Sequence, residues 1–142
     1  PVVRGEATPR GPDPADLTGI DRFMATRINQ SPPPPSRVDN TVNGGDTLDE
    51  VASGLRVVAL PGHADGQVGY YHAPSGTLFG GDVIANWPFI GVSYPVRSAS
   101  PDWDGVKASI RRVRDLAPSR LLIGHGGVIA GDVAGQLAKL EA

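Results

Sequence analysis

An apolar run that ends in a glycine and a histidine constrains this chain more than any other feature of its sequence. Residues Leu55–Leu60 read Leu-Arg-Val-Val-Ala-Leu, and Pro61, Gly62 and His63 follow directly. Such a run predicts a strand that is buried on both faces. The glycine leaves room for a ligand or metal ion to approach the end of the strand. We therefore expect a β-containing fold that presents His63 on a rigid support at a sheet edge.

Two later segments end in the same way. A strand predicted over 77–80 leads to Asp82, and one over 121–123 leads to His125, each through a glycine. Taken alone, each polar residue also fits an ordinary turn or cap. Taken together with His63, they form a set of two imidazoles and one carboxylate, which suits zinc, iron or manganese. The sequence therefore predicts one shared metal site.

Composition limits the chemistry further. The chain has no cysteine, which excludes disulfides and thiolate ligands. Of its three histidines, His72 ends a predicted strand, Val68–His72, without a neighbouring glycine, and we expect it to be a partly exposed strand residue. The chain has thirteen basic and fifteen acidic residues, and so lacks the excess of positive charge that is typical of proteins that bind nucleic acid or an anionic membrane. No apolar run approaches the roughly 18 residues of a spanning helix, and no signal peptide is visible. A cytoplasmic location is the default expectation.

The length of 142 residues predicts a single domain, 1–142. Asp13 followed by Pro14 predicts a helix start, and a helix is expected to about Asn29. Its apolar stripe has helical spacing and consists of Leu17, Ile20, Met24 and Ile28. The proline-rich segment 30–37 predicts a stiff connector within the domain, and a PxxP-type ligand is the less favoured alternative.

The rest of the chain alternates β-strand and helix patterns. Besides the strands already named, we expect a short strand over 47–51, a long loop over 85–99, a helix from about Ser100–Asp102 to Pro118, and a last helix capped by Asp132. This order predicts an α+β fold with one mixed, mostly antiparallel sheet and its helices on one face. Nothing in the chain is obviously built to cover the other face.

Three motifs in this order resemble the metallo-β-lactamase superfamily of metal-dependent hydrolases. They are Pro-Gly-His-Ala-Asp-Gly-Gln-Val-Gly-Tyr-Tyr at 61–71, Thr-Leu-Phe-Gly-Gly-Asp-Val at 77–83 and Ile-Gly-His-Gly at 123–126. The resemblance covers roughly 38–142. It implies that His63 binds the first metal ion, that Asp82 bridges both ions at the catalytic centre, and that His125 binds the second. It also implies that metal-activated water attacks an ester, thioester, lactone, amide or phosphodiester.

One departure from the superfamily pattern is large. Its His-x-His-x-Asp-His signature, which supplies three further ligands and orients the attacking water, is absent from this sequence. The resemblance therefore implies the C-terminal half of an αββα sandwich, taken from a longer hydrolase. A complete site is expected to hold two zinc ions, with iron or manganese as alternatives, and this chain alone one or none. The competing interpretation is a non-catalytic binding or scaffold domain with the same fold.

Two expectations concern partners. With its first sheet missing, the chain is expected to bind an N-terminal half or to form a homodimer through the uncovered sheet face. The substrate is expected to be a small molecule, and Trp87, Phe89 and Tyr94 are candidates to line its pocket because their loop follows Asp82 directly. Ordinary packing of that loop is an equal alternative for the three aromatic residues. The lack of a basic cluster favours an ester, thioester or lactone.

Overall fold

The chain was examined as a computed structural model that describes residues 13–16, 18–30 and 37–140. Leu17 and nearly all of the proline-rich connector predicted over 30–37 lie outside the described residues. The chain divides into two compact units, Pro1–Thr41 and Val42–Ala142, which are described separately. Within the described ranges, no helix is long and apolar enough to cross a lipid bilayer.

The first unit contains one α-helix preceded by a short turn. Asp13 caps this turn, because its Oδ1 accepts a hydrogen bond of 2.8 Å from the Ala15 amide. The turn, Pro14–Asp16, is a 3₁₀ helix, and α1 then spans Gly19–Gln30. The single helix expected over 14–29 is therefore divided. Gly19, the first residue of α1, has a φ of +57°, a left-handed conformation that glycine adopts without strain but that the interior of a continuous right-handed helix does not contain.

The second unit is built on a five-stranded sheet. Its strands are β1 (Leu55–Ala59), β2 (Val68–His72), β3 (Thr77–Gly81), β6 (Arg120–Ile123) and β7 (Gly127–Ala130), in the order β1-β2-β3-β6-β7. The β3–β6 pair is parallel and the other pairs are antiparallel. The predicted mixed, mostly antiparallel sheet is confirmed.

The loop predicted over 85–99 is partly wrong, because it contains a small hairpin. The strands β4 (Ala85–Trp87) and β5 (Gly91–Ser93) pair antiparallel as a separate sheet, and a 3₁₀ turn, Arg97–Ala99, follows. Strand β7 was also not predicted.

The surroundings of β1 differ from the sequence-based expectation. The predicted strand over 47–51 is only an isolated bridge between Thr47 and Arg56, followed by a turn. β1 lies at the edge of the sheet and is not buried on both faces, since Arg56 is exposed. Backbone groups of Gly45, Asp46 and Leu48 nevertheless hydrogen-bond along its outer side. These bonds occupy backbone groups that an open edge would offer to another chain.

Two helices follow β5 and cover one face of the sheet. They are α2 (Trp103–Leu116) and α3 (Val133–Ala138), and each has an aspartate at its N-cap, Asp102 and Asp132. Both cap side chains accept a hydrogen bond from a backbone amide three residues later. The core joins one face of the sheet to these helices and includes Leu60, Leu78, Ile84, Val106, Ile110, Val113, Leu121, Ile129, Val133 and Leu137. The expected placement of helices on one face is thus observed for α2 and α3.

The other face of the sheet carries exposed apolar side chains. Cross-strand pairing places Val57, Tyr70, Phe79, Leu122 and Val128 in one row across all five strands. We call this row the apolar row. Tyr70, Phe79 and Val128 are 36%, 46% and 56% exposed, whereas Val57, at the β1 end of the row, is 3% exposed. Next to them lies a shallow hollow of about 320 Å³, lined by Ala52, Leu55, His72, Ser75, Thr77 and Phe79.

Candidate metal site

Strand direction brings the three predicted site residues to one edge of the sheet. β1 and β3 are both antiparallel to β2, and β6 is parallel to β3. The carboxyl ends of β1, β3 and β6 therefore point the same way. His63, Asp82 and His125 follow these ends and meet beyond them.

Asp82 lies between the two histidines and contacts each with a different oxygen. Its Oδ1 is 2.7 Å from Nδ1 of His125, and its Oδ2 is 3.6 Å from Nε2 of His63. Because an ionised carboxylate only accepts hydrogen bonds, the shorter contact is an N–H of His125 donating to Asp82. The side chains of His63, Asp82 and His125 are 23%, 28% and 62% exposed. The site is thus open to solvent on the His125 side.

The turn that carries His63 is fastened to the start of α2. A Cβ on Gly62 would overlap the backbone of Gly105 and Val106, and the φ of Gly62 is +128°, so this position requires glycine. The carbonyl of Gly62 accepts a hydrogen bond from the Asp102 amide. The Ser109 hydroxyl donates to the Pro61 carbonyl at 2.7 Å. The first two turns of α2 and its N-cap therefore fix the position of the turn that carries His63.

A second glycine leaves space for the Asp82 carboxylate. A Cβ on Gly124 would overlap Oδ1 of Asp82, and the Gly124 amide donates to the Gly81 carbonyl at 2.9 Å. The chain at the end of β6 therefore lies directly against the end of β3. Gln67 supports the same corner, because its side-chain amide donates to the Gly80 carbonyl at 3.3 Å.

The β4–β5 hairpin holds the turn that carries His125. The Asn86 amide donates to the His125 carbonyl at 3.0 Å, and the Asn86 side chain donates to the Gly126 carbonyl at 3.4 Å. A Cβ on Gly126 would overlap the Asn86 carbonyl, so the two segments depend on this glycine. Asn86 was missed by sequence reasoning, since no pattern links it to a turn 40 residues away.

Ser100 is a second residue that the sequence did not reveal. Its hydroxyl lies 3.1 Å from Nδ1 of His63 and donates to the Val96 carbonyl at 2.8 Å. Ser100 is 2% exposed, and among the residues whose burial is described only Ser109 is a comparably buried polar residue. Its place before α2 made it look like part of a helix-start signal, which hid its contact with the site.

The three aromatic residues predicted to line a pocket lie in different surroundings. The Trp87 ring is 6.0 Å from the His125 ring, between centroids. Phe89 is fully exposed at the hairpin tip with a φ of +70°, an unusual conformation for a bulky residue. Tyr94 packs on Trp103, and its hydroxyl donates to the Leu140 carbonyl at 2.7 Å. Their role in a substrate pocket stays a prediction, and only Trp87 among them has a ring contact with a site residue in the described structure.

The donor atoms fit a metal site in chemistry but only partly in geometry. Two ligands of one tetrahedral zinc ion, each about 2.1 Å from it, lie about 3.4 Å apart. The 3.6 Å between His63 Nε2 and Asp82 Oδ2 agrees with this spacing. The 2.7 Å contact of His125 is instead a direct hydrogen bond. As they are arranged, the described residues include no group of three or more His, Asp or Glu side chains that could hold a metal ion.

Comparison with known proteins identifies the family. The model of the Metallo-beta-lactamase superfamily matches residues 2–125. The chain belongs to this superfamily. The match begins well before residue 38, the start of the region whose motifs resemble the superfamily, and it ends at His125. Superfamily members are generally metal-dependent and hydrolytic, and His63, Asp82 and His125 lie within the matched residues.

Three individual proteins are similar to this chain. The uncharacterized protein YobT of Bacillus subtilis (strain 168) is 32% identical over 134 residues, which cover 88% of this chain and 52% of YobT. The metallo-beta-lactamase family protein TTHA1429 of Thermus thermophilus superposes with a TM-score of 0.64 at 25% identity, over 89% of this chain and 40% of that protein. TTHA1623, crystallised in a di-iron-bound form, shares the fold with a TM-score of 0.59 at 24% identity, over 82% of this chain and 54% of that protein. The chain thus spans about half the length of these relatives.

Proposed function

We propose that this chain contributes three metal ligands, His63, Asp82 and His125, to a metal-dependent hydrolase. The observation that carries the proposal is the meeting of two imidazoles on one carboxylate where three strands end. A bound divalent ion at such a site would supply Lewis acidity, which polarises a carbonyl and makes water a better nucleophile. Membership of a generally hydrolytic superfamily supports the same reaction class.

The residues of this chain have distinct roles in the proposal. Nε2 of His63 and Oδ2 of Asp82 form the pair with ligand spacing. Asp82 also orients His125 through Nδ1, which leaves Nε2 on the far side of that ring. The substrate class we propose is an ester, thioester, lactone or amide. The exposed Trp87 beside His125 offers an apolar surface for its uncharged part. Zinc is the proposed metal, with iron or manganese as alternatives.

The remaining ligands must come from outside this set. A catalytic zinc ion takes three protein ligands plus water, and two ions need more donors than three residues supply. We propose that a further sheet, from another part of a longer polypeptide or from a second chain, packs on the apolar row and brings these donors. The chain's span of about half its relatives supports this.

Metal content tests the site directly, with His72 as a matched control. His72 is the remaining histidine, and its Nδ1 contacts Ser75 within its own turn. We expect His63→Ala and Asp82→Ala to abolish zinc binding in equilibrium dialysis, because each removes one member of the spaced pair. We expect His72→Ala to bind as the unmodified chain does. Equal zinc content in the unmodified chain and all three variants would show that His63 and Asp82 are turn residues that do not bind the metal.

A non-catalytic binding or scaffold function is the second candidate. It is favoured by the lack of a group of three ligands among the described residues. Hydrolysis of a panel of esters, thioesters and lactones by the zinc-loaded chain, together with the proposed further sheet, separates the two. Turnover that Asp82→Ala abolishes supports the hydrolase. Bound zinc without turnover of any substrate supports the scaffold.

A further inference from the structure

Ser100 makes two contacts that together fix the position of a proton. Its hydroxyl oxygen is 2.8 Å from the Val96 carbonyl and 3.1 Å from Nδ1 of His63. Both contacts are formed away from solvent, since Ser100 is 2% exposed. A buried hydroxyl in this position has no bulk water to hydrogen-bond instead, so these two partners determine its orientation.

The hydrogen bonds can be assigned from the number of protons available. A carbonyl only accepts, and a serine hydroxyl has a single proton, so Ser100 donates to Val96. The oxygen of Ser100 then faces His63 with a lone pair, and Nδ1 of His63 must donate. A neutral imidazole carries one N–H, so Nε2 of His63 has a free lone pair. Nε2 is the nitrogen that lies 3.6 Å from Oδ2 of Asp82.

We propose that Ser100 is a positioning residue that holds neutral His63 as the Nδ1–H tautomer and so makes Nε2 the metal-binding nitrogen. The second half of this statement rests on the function proposed above. In metal sites, a hydrogen bond to the remote ring nitrogen commonly fixes both the tautomer and the ring orientation of a histidine ligand. Here the remote nitrogen is held by a buried hydroxyl on the loop before α2.

The loop that carries Ser100 is itself anchored. Nη1 of Arg97 donates to the Ser100 carbonyl at 3.3 Å. The same guanidinium lies 4.6 Å above the centre of the Trp103 ring, a cation–π geometry. Trp103 in turn packs on Tyr94. These contacts hold the segment that carries Ser100 in place. A residue that is held in place in this way can orient another side chain.

A tautomer measurement on the metal-free chain tests the first half of the proposal. Long-range ¹H–¹⁵N correlation spectra distinguish the two ring nitrogens of a neutral histidine, and the chain has three histidines to assign. We expect His63 to show a protonated Nδ1 and a bare Nε2. In Ser100→Ala the proton should move to Nε2, because Asp82 is then the remaining acceptor beside the ring.

Ser75→Ala is the matched control. The Ser75 hydroxyl lies 2.8 Å from Nδ1 of His72, a histidine outside the site, and 3.4 Å from the His72 carbonyl. Ser75 makes no contact with His63 in these hydrogen bonds, so its loss should leave the tautomer of His63 unchanged. A protonated Nε2 in the unmodified chain overturns the proposal. So does a tautomer that neither variant changes, or one that both variants change equally.

Zinc titration tests the second half with a different readout. Loss of a supporting partner of a ligand histidine typically weakens metal binding about 10- to 100-fold. We expect a loss in this range for Ser100→Ala and no loss for Ser75→Ala. Equal affinities for the unmodified chain and Ser100→Ala would refute the link to metal binding. Absence of zinc binding by the unmodified chain would instead refute metal binding by this chain alone, on which the second half rests, and leave the tautomer result standing.

Discussion

At the scale of single residues, the site depends on where a side chain is missing. Gly62 lets the His63 turn lie against α2, and Gly124 leaves space for the Asp82 carboxylate. Each glycine is followed by, or faces, one of the polar residues of the site. The same short segments of sequence therefore supply both the polar side chains of the site and the glycines that let its backbone segments lie close together.

Gly124→Ala should disturb the site with little loss of stability. The added Cβ would overlap Oδ1 of Asp82. A carboxylate at the end of a side chain can move aside, so we expect a cost of about 1 kcal/mol, the size of one hydrogen bond. The displaced oxygen would lose its 2.7 Å contact with His125. Zinc titration should show binding lost or strongly weakened, and urea unfolding should show the small change in stability.

Gly135→Ala is the control for Gly124→Ala. Its Cβ would also press on a carboxylate, that of Asp132, but at the N-cap of α3 and not at the site. We expect zinc binding to be unchanged in this variant. If Gly124→Ala bound zinc as tightly as Gly135→Ala, the observed place of the Asp82 carboxylate would be irrelevant to the metal.

The sequence revealed the candidate ligands but not their supports, and the reason is physical. His63, Asp82 and His125 stand beside glycines at strand ends, a local pattern that can be recognised without the fold. Ser100 and Asn86 act on residues 37 and 39 positions away along the chain. Contacts at that separation are set by how the elements pack, and a serine or asparagine in a loop carries no local sign of them.

At the scale of elements, β3 shows how one strand serves two surfaces. Leu78 is fully buried against the helices, and the next residue, Phe79, is 46% exposed on the apolar row. Alternation of this kind follows from the pleat, since successive side chains point to opposite faces. Burial of every second residue therefore gives the sheet one face that packs on the helices and one face that carries the apolar row.

Leu78→Ala and Phe79→Ala should therefore differ strongly in effect. A buried leucine replaced by alanine typically loses about 2–5 kcal/mol, because a cavity remains in the core. An exposed side chain replaced by alanine usually changes stability by less than about 0.5 kcal/mol. Urea unfolding at low protein concentration measures both changes. Similar losses in the two variants would show that the apolar row is buried in the chain as it exists in solution.

Prediction of the elements succeeded where a pattern was long and failed where it was short. Helix α2 has a cap and a regular stripe over fourteen residues, and its position was predicted closely. Strand β7 and the β4–β5 hairpin have three or four residues per strand, too few for alternation to be recognised. The segment after Gly45 has a strand-like composition, but a turn at Asp49–Val51 limits its pairing to a bridge at Thr47.

At the scale of the whole molecule, the open question is what covers the apolar row. Five strands about 4.8 Å apart, with about five residues each at 3.3 Å, give a face of at most about 400 Å², because Val57 at its β1 end is already buried. Two such faces together bury about 800 Å², less than the roughly 1,200 Å² at which stable interfaces begin. A homodimer formed through this face should therefore be weak. A sheet linked to the same polypeptide would face it at millimolar effective concentration and would displace a second copy.

Sedimentation of the isolated chain tests this argument. We expect reversible self-association at tens of micromolar, which Phe79→Asp should abolish because it places a charge in the centre of the apolar row. Ala108→Asp puts the same charge on an exposed position of α2 and should leave association unchanged. A polypeptide that also carries the proposed second sheet over the row should show no association through it. A chain that stays monomeric at these concentrations would argue against an exposed apolar row. The proposal that another sheet supplies the missing ligands would then lose its structural support.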